Sequence, residues 1–223
     1  MDLLQAMQQR HSVRAYEDRP IGEETVQKLE RFIEELNRES GLHIQLVKNE
    51  PKAFDSFLAH YGKFSGVSNY FALVGKDNKE LDELCGYYGE KLVLFAQTLG
   101  LHTCWVALTY KKIPSAFRVN AGEKLGIVIS VGYGINGGKV RPCKRAEEVS
   151  NVTADSPAWF KDGVAAALLA PTAVNQQKFR FTLRHDKVEA KILPFAFCRG
   201  FDLGIVKYHF ELGSGKDHGI WTK

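Results

Sequence analysis

The chain has 223 residues, 44% hydrophobic and 25% charged, with a formal net charge of +4. That length suits one large domain or two small ones packed closely, and the apolar content allows a core without disulfide staples. So small a charge excess demands no nucleic-acid partner, no two of Cys85, Cys104, Cys143 and Cys198 make a C-x-x-C pair, and no histidine stands at zinc-ligand spacing from them. No run approaches the roughly 18 apolar residues of a membrane span, and MDLLQAMQQRHSVR lacks an apolar leader, so a soluble, cytoplasmic protein with reduced thiols is expected.

In chain order, residues 2–9 read as a short helix, followed by the extended segment RHSVRAYEDRPI. Val26, Leu29, Ile33 and Leu36 recur at helical spacing, which predicts a helix over Glu23–Leu36 ended by Gly41. LHIQLV and Val67–Val74 are strand-like. Tyr88, Leu92, Phe95, Ala96 and Leu99 define a broad helical face, widened by Val93 and Leu94, which predicts a helix buried on most sides and closed by Gly100. IVISV (127–131) is a strand leading into a glycine-rich loop and the basic run GGKVRPCKR. The second half brings a small-residue helix over Trp159–Ala170 stopped by Pro171, the strand FRFTLR, and a long helix over Gly200–Leu212 ended by Gly213.

The two long helices overlay without a gap. Cys85, Val93, Leu99 and Gly100 then fall on Cys198, Val206, Leu212 and Gly213. The overlay suggests a duplicated plan, with residues 1–150 as one half and 151–223 as the other, packed like the subunits of a dimer. Gly132-Tyr133-Gly134-Ile135-Asn136-Gly137 spells G-x-G-x-x-G after a strand, but Gly138, a basic run and Pro142 follow where a dinucleotide fingerprint needs a helix to start.

Two segments carry candidate chemistry. In an extended Arg10-His11-Ser12-Val13-Arg14, alternate side chains share a face, so Arg10, Ser12 and Arg14 suit a phosphate dianion. The alternative is a solvated loop. Ala170-Pro171-Thr172-Ala173-Val174-Asn175-Gln176-Gln177 offers the mixed donors and acceptors that a planar, amide-rich ring needs along its edge; the alternative is a polar connecting loop.

Together these segments resemble the nitroreductase-like flavoproteins. RHSVRAYEDRPI matches their R-x-S-x-R opening. APTAVNQQKFRF matches their A-P-S-x-x-N-x-Q-P-W stretch, with Thr172 for Ser, Lys178 for Pro and Phe179 for Trp, and GLHTCWV resembles their G-L-G-x-C-W run. The resemblance implies an α+β sandwich formed from two related halves with a long helix in each, close to the single-chain branch of the family. It implies one FMN per chain, held by Arg10, His11, Ser12, Arg14, Trp105, Val106, Ala107, Lys144, Arg145, Pro171, Thr172, Asn175 and Gln177. Of Lys139, Arg141, Lys144 and Arg145, one or two are expected to touch the phosphate, because Lys144-Arg145 precede Glu147-Glu148-Val149 as in the family; the alternatives are a solvated face or a nucleic-acid patch.

The Asn-Gln stretch stands in the second half, whereas in the usual family member it follows R-x-S-x-R closely. A fused pseudo-dimer would supply the phosphate segment from one half and the ring-edge segment from the other, so a monomer able to form its own site is expected. The implied activity passes electrons from NADH or NADPH through FMN to a small acceptor such as a nitroaromatic or quinone, with no catalytic side chain and no metal. Ala107-Leu108 replaces a glycine pair that lets the backbone approach the flavin, which keeps a non-catalytic flavin-binding protein as the alternative.

Overall fold

A computed structural model describes residues 1–222. The first half opens with α1 (Leu3–Gln9), whose N-terminus is closed by a capping box between Asp2 and Gln5. The helix α2 (Glu23–Ser40) buries Val26, Leu29, Ile33 and Leu36, the four residues whose spacing predicts it, and ends at Gly41 with φ 70°. Then come β1 (His43–Val47), the short α3 (Phe57–Tyr61), β2 (Tyr70–Lys76), α4 (Leu81–Thr98), β3 (His102–Val106) and β4 (Glu123–Gly132). The short α5 (Ala146–Val149) closes residues 1–150, and residues 151–223 contain α6 (Ala158–Leu168), β5 (Phe179–Arg184), β6 (Lys187–Ile192) and α7 (Arg199–Ser214).

The first four strands form one antiparallel sheet in the order β1-β2-β4-β3. β2 is central and buried on both faces, which is why its sequence is a continuous apolar run rather than an alternation. It begins at Tyr70 rather than Val67, because the chain before Tyr70 is irregular and packs as loop under the sheet. One sheet face packs on α2 and α4; the other is covered by Val13, Tyr16, Phe54, Phe64 and Phe117. A further core lies between the β5–β6 hairpin, α6 and α7, and includes Phe160, Phe179, Phe181, Phe210 and Trp221.

The helix α4 is the spine. It meets the sheet on one side and α7 on the other, and α4 and α7 touch backbone to backbone. A Cβ on Gly204 would run into the Glu83 carbonyl, and one on Gly86 into the Phe201 carbonyl, so both must be glycine for this crossing.

Two expectations need correction. Gly213 does not end α7; it lies within the helix because it packs against Asp162 and Ala166 of α6, and the left-handed terminator is Gly215 at φ 64°. Gly100, its partner in the overlay, is a true left-handed terminator at φ 78°, so the aligned glycines do different work. In addition, KVEAKI forms β6, a strand beyond FRFTLR, so the second half runs helix, two antiparallel strands, helix. After β4 no helix begins until Ala146, so the helix start that a dinucleotide fingerprint needs behind G-x-G-x-x-G is not there.

Candidate active site

The R-x-S-x-R segment is laced into the fold along its backbone. Ser12 bridges Thr103 at the edge of β3, and the Val13 N–H donates to the Thr103 carbonyl at 3.0 Å. The Ser65 N–H donates to the Arg14 carbonyl at 3.0 Å, and the Tyr16 hydroxyl reaches the Val13 carbonyl at 2.8 Å. These bonds hold Ser12 and Arg14 beside Cys104 and Trp105 on the wall of one cleft.

The opposite wall is the turn after α6. Thr172 and the 3₁₀ turn Ala173–Asn175 face the same cleft, together with Pro171. Val174, Asn175 and Gln177 have φ of 46°, 55° and 43°. For a β-branched valine that conformation is strained, by about 1–3 kcal/mol, and surrounding bonds must hold it. Asp202, in the first turn of α7, supplies them. Its carboxylate accepts from the Ala173 N–H at 3.0 and 3.2 Å and from Gln176 Nε2 at 2.7 Å. Burial pushes the Asp202 carboxyl up to about 6, against the downward pull of those two donors.

The basic stretch is tied to this turn. Lys144 N–H donates to Gln177 Oε1 at 2.7 Å, Lys144 Nζ to the Gln177 carbonyl at 2.9 Å, and Asn175 Nδ2 to the Pro142 carbonyl at 2.9 Å. The lacing carries Arg141 into the cleft. Burial, followed by the neighbouring Arg14 charge, lowers the Arg141 pKa, while Cys143, Glu90 and Cys104 oppose this. Neither Arg14 nor Arg141 forms an ion pair among the described residues; the ion-paired arginines are Arg10, Arg145 and Arg184. Two uncompensated guanidinium groups and a hydroxyl therefore converge on one cleft, an arrangement suited to an anion. Cys104 and Cys198 also line it. Burial raises both thiols, so they are poor candidates for thiolate nucleophiles at neutral pH.

Residues 2–214 match the family model described as "Putative TM nitroreductase". The chain belongs to this nitroreductase family. A search of curated proteins found no match. Among solved structures, a "putative nitroreductase" from Thermotoga maritima is 22% identical, covers 96% of this chain and 83% of its own, and has a TM-score of 0.69. A nitroreductase family protein from Clostridium difficile 630 is 15% identical over 70% of this chain and all of its own, with a TM-score of 0.53. A "putative nitroreductase in complex with FMN" from Exiguobacterium sibiricum is 14% identical over 66% of this chain and 95% of its own, also at 0.53. At these identities the likeness is one of fold, and it extends to the mixed α+β architecture described above.

Of the residues singled out in the sequence, the fold brings Ser12, Arg14, Trp105, Ala107, Pro171, Thr172 and Asn175 together on the cleft. The others stand behind or beside it. Arg10 is only 4% exposed and turns inward, with Nε 3.8 Å from Glu90 and Nη2 3.5 Å from the Leu169 carbonyl. Gln177 is a buried brace whose side chain is spent on Lys144 and the Leu168 carbonyl. Val106 is buried in the sheet, and His11 bonds the Gln9 carbonyl. Lys144 is held by Gln177, and Arg145 pairs with Glu148 on the surface. Lys139 is exposed and does not line the cleft.

Of the glycine-pair replacements, Ala107 lines the cleft and Leu108 points away, 82% exposed. The sequence reading missed Asp202, Phe201 and Ile205 as lining residues. An acid set between the apolar Phe201 and Leu203 in the first turn of α7 is the available signal for Asp202.

Proposed function

We propose that this chain is an FMN-binding oxidoreductase that carries electrons from NADH or NADPH to a small acceptor such as a nitroaromatic or quinone. The observation that carries the reading is one cleft walled by the R-x-S-x-R segment of the first half and the Pro171–Asn175 turn of the second. Its donor set fits FMN, with Arg14, Arg141 and Ser12 for the phosphate and the Thr172–Asn175 turn for the ring edge. Bound flavin would supply two-electron exchange between nicotinamide and acceptor.

The protein's part is position and electrostatics. Arg14 and Arg141 neutralise the anion, and Ser12, fixed through Thr103, sets its register. Asp202 keeps the strained turn in place without touching solvent freely. Trp105 and Ile205 give the cleft apolar walls that exclude water. Because both walls come from one chain, the site is proposed to form without a second copy, with residues 1–150 and 151–223 acting as the two halves.

Heat-released flavin, separated by chromatography, tests the cofactor: FMN is expected, and FAD at one per chain overturns the reading. Anaerobic mixing with NADH or NADPH tests the activity. Loss of the flavin absorbance band within seconds supports the enzyme. Bound FMN that keeps its band supports the non-catalytic alternative, which the Ala107 methyl at the cleft wall favours.

A further inference from the structure

We propose that Glu90, which does not line the cleft, is a positioning residue that fixes the pose of Trp105 in the cleft wall. Glu90 lies in the middle of α4 and is 0% exposed. A carboxylate so buried must find its partners inside the protein. One oxygen, Oε2, accepts from the Trp105 indole N–H at 2.9 Å. The other, Oε1, lies 2.8 Å from His209 Nε2 and 3.8 Å from Arg10 Nε. His209, also 0% exposed, has its Nδ1 3.1 Å from the Ala166 carbonyl, which can only accept, so that nitrogen carries a hydrogen. Glu90 is thus met by the Trp105 indole on one oxygen and by His209 and Arg10 on the other.

The indole is gripped at its other end too. A Cβ on Gly89 would come within 2.5 Å of Trp105 Cη2, so α4 is bare where the benzo ring lies against it. Turning the ring over would break the bond to Glu90 and take from its buried Oε2 the donor that meets it. The orientation of this cleft wall is therefore set from α4 and not by β3, where Trp105 resides. The same cluster joins Arg10 after α1, His209 on α7 and Ala166 on α6, so one carboxylate ties the aromatic wall to the packing of both halves. An apolar residue at position 90 would leave the indole N–H without an acceptor and Arg10 without a counter-charge.

The proposal rests on the flavin reading for one of its two tests only. In the first, ¹⁵N-labelled protein without flavin is examined by NMR. Its three tryptophans give three indole N–H signals, and Trp105→Phe identifies the one from Trp105. Glu90→Gln is expected to move that signal upfield and speed its exchange while the Trp159 and Trp221 signals hold. A Trp105 signal that stays in place overturns the proposal.

In the second, FMN affinity is measured for Glu90→Gln, Trp105→Phe and the double variant. Glu90→Gln, which leaves the indole a neutral acceptor in place of a carboxylate, is expected to weaken binding about ten-fold and to add less than about two-fold once Trp105 is phenylalanine. Equal losses in both backgrounds overturn it. Should Glu90→Gln fail to fold, Trp105→Phe, which leaves Glu90 its His209 and Arg10 partners, carries the test, and unchanged FMN affinity overturns the proposal. Wild-type protein that binds no FMN refutes the flavin reading, and the indole signals still decide the role of Glu90.

Discussion

Replacing Asp202 by asparagine should remove a pH dependence of stability and loosen one wall of the cleft. Asp202 is buried and accepts from the Ala173 N–H and Gln176 Nε2. Those donors favour the charged form, yet burial outweighs them and lifts the carboxyl from its ordinary 3.8 to about 6. The unfolded chain holds the ordinary value, so between about pH 4 and 6 the folded state binds the proton more readily. The contribution to stability is therefore greatest below about pH 4 and is lost as pH rises through about 6. A shift of this size corresponds to roughly 3 kcal/mol over the full range, of which about 1 kcal/mol falls between pH 7 and pH 5.

Urea unfolding of wild type and Asp202→Asn at pH 7 and pH 5, at fixed ionic strength, measures it. Wild type should gain about 1 kcal/mol on the variant as pH falls from 7 to 5. Flavin affinity should move the other way, because the ionised carboxylate grips the strained turn and the asparagine amide would set a donor against Gln176 Nε2. A wild-type-minus-variant stability difference that is the same at pH 7 and pH 5 refutes the burial argument.

Arg141→Ala and Arg14→Ala should each weaken FMN binding by roughly 2–4 kcal/mol, while Arg145→Ala leaves it nearly unchanged; a titration of flavin fluorescence against each variant checks the ranking. Co-expressed Arg14→Ala and Asn175→Ala chains should not recover full-affinity flavin binding, since each chain would lack one wall of its own cleft; recovery at a statistical fraction of sites would mean that the site forms between chains. Gly204→Ala should destabilise the fold by about 1–3 kcal/mol by forcing α7 away from the Glu83 carbonyl, read as a lower urea midpoint.

The elements that patterning reveals most plainly bury a stripe or a face of their own. Val26, Leu29, Ile33 and Leu36 announce α2 because a helix with one buried side must repeat apolar residues at its own period. FRFTLR announces β5 because Phe179 and Phe181 alternate inward. KVEAKI carries the same alternation more faintly; its exposed lysines mask a strand that exists because β5 needs a partner.

The candidate site divides the same way. The residue types of the proposed phosphate and ring-edge contacts stand in the sequence, guanidinium groups at alternate positions, a hydroxyl between them and a proline-led amide stretch, but each segment alone reads equally as a loop, and only the family resemblance joins them. Which basic residue reaches the cleft was not legible. Arg141, Lys144 and Arg145 carry equal charge, and only the folded chain gives Lys144 to Gln177 and Arg145 to Glu148 while leaving Arg141 without an ion pair among the described residues. Nor was Arg10's inward turn legible, because it depends on a carboxylate that lies eighty residues further along the chain. Local pattern records the period of each element and the chemistry of each short segment. It does not record partners far apart in sequence, such as Glu90 and His209 or Asp202 and Ala173, because those meet only where the crossing of α4 and α7 brings them within hydrogen-bond reach.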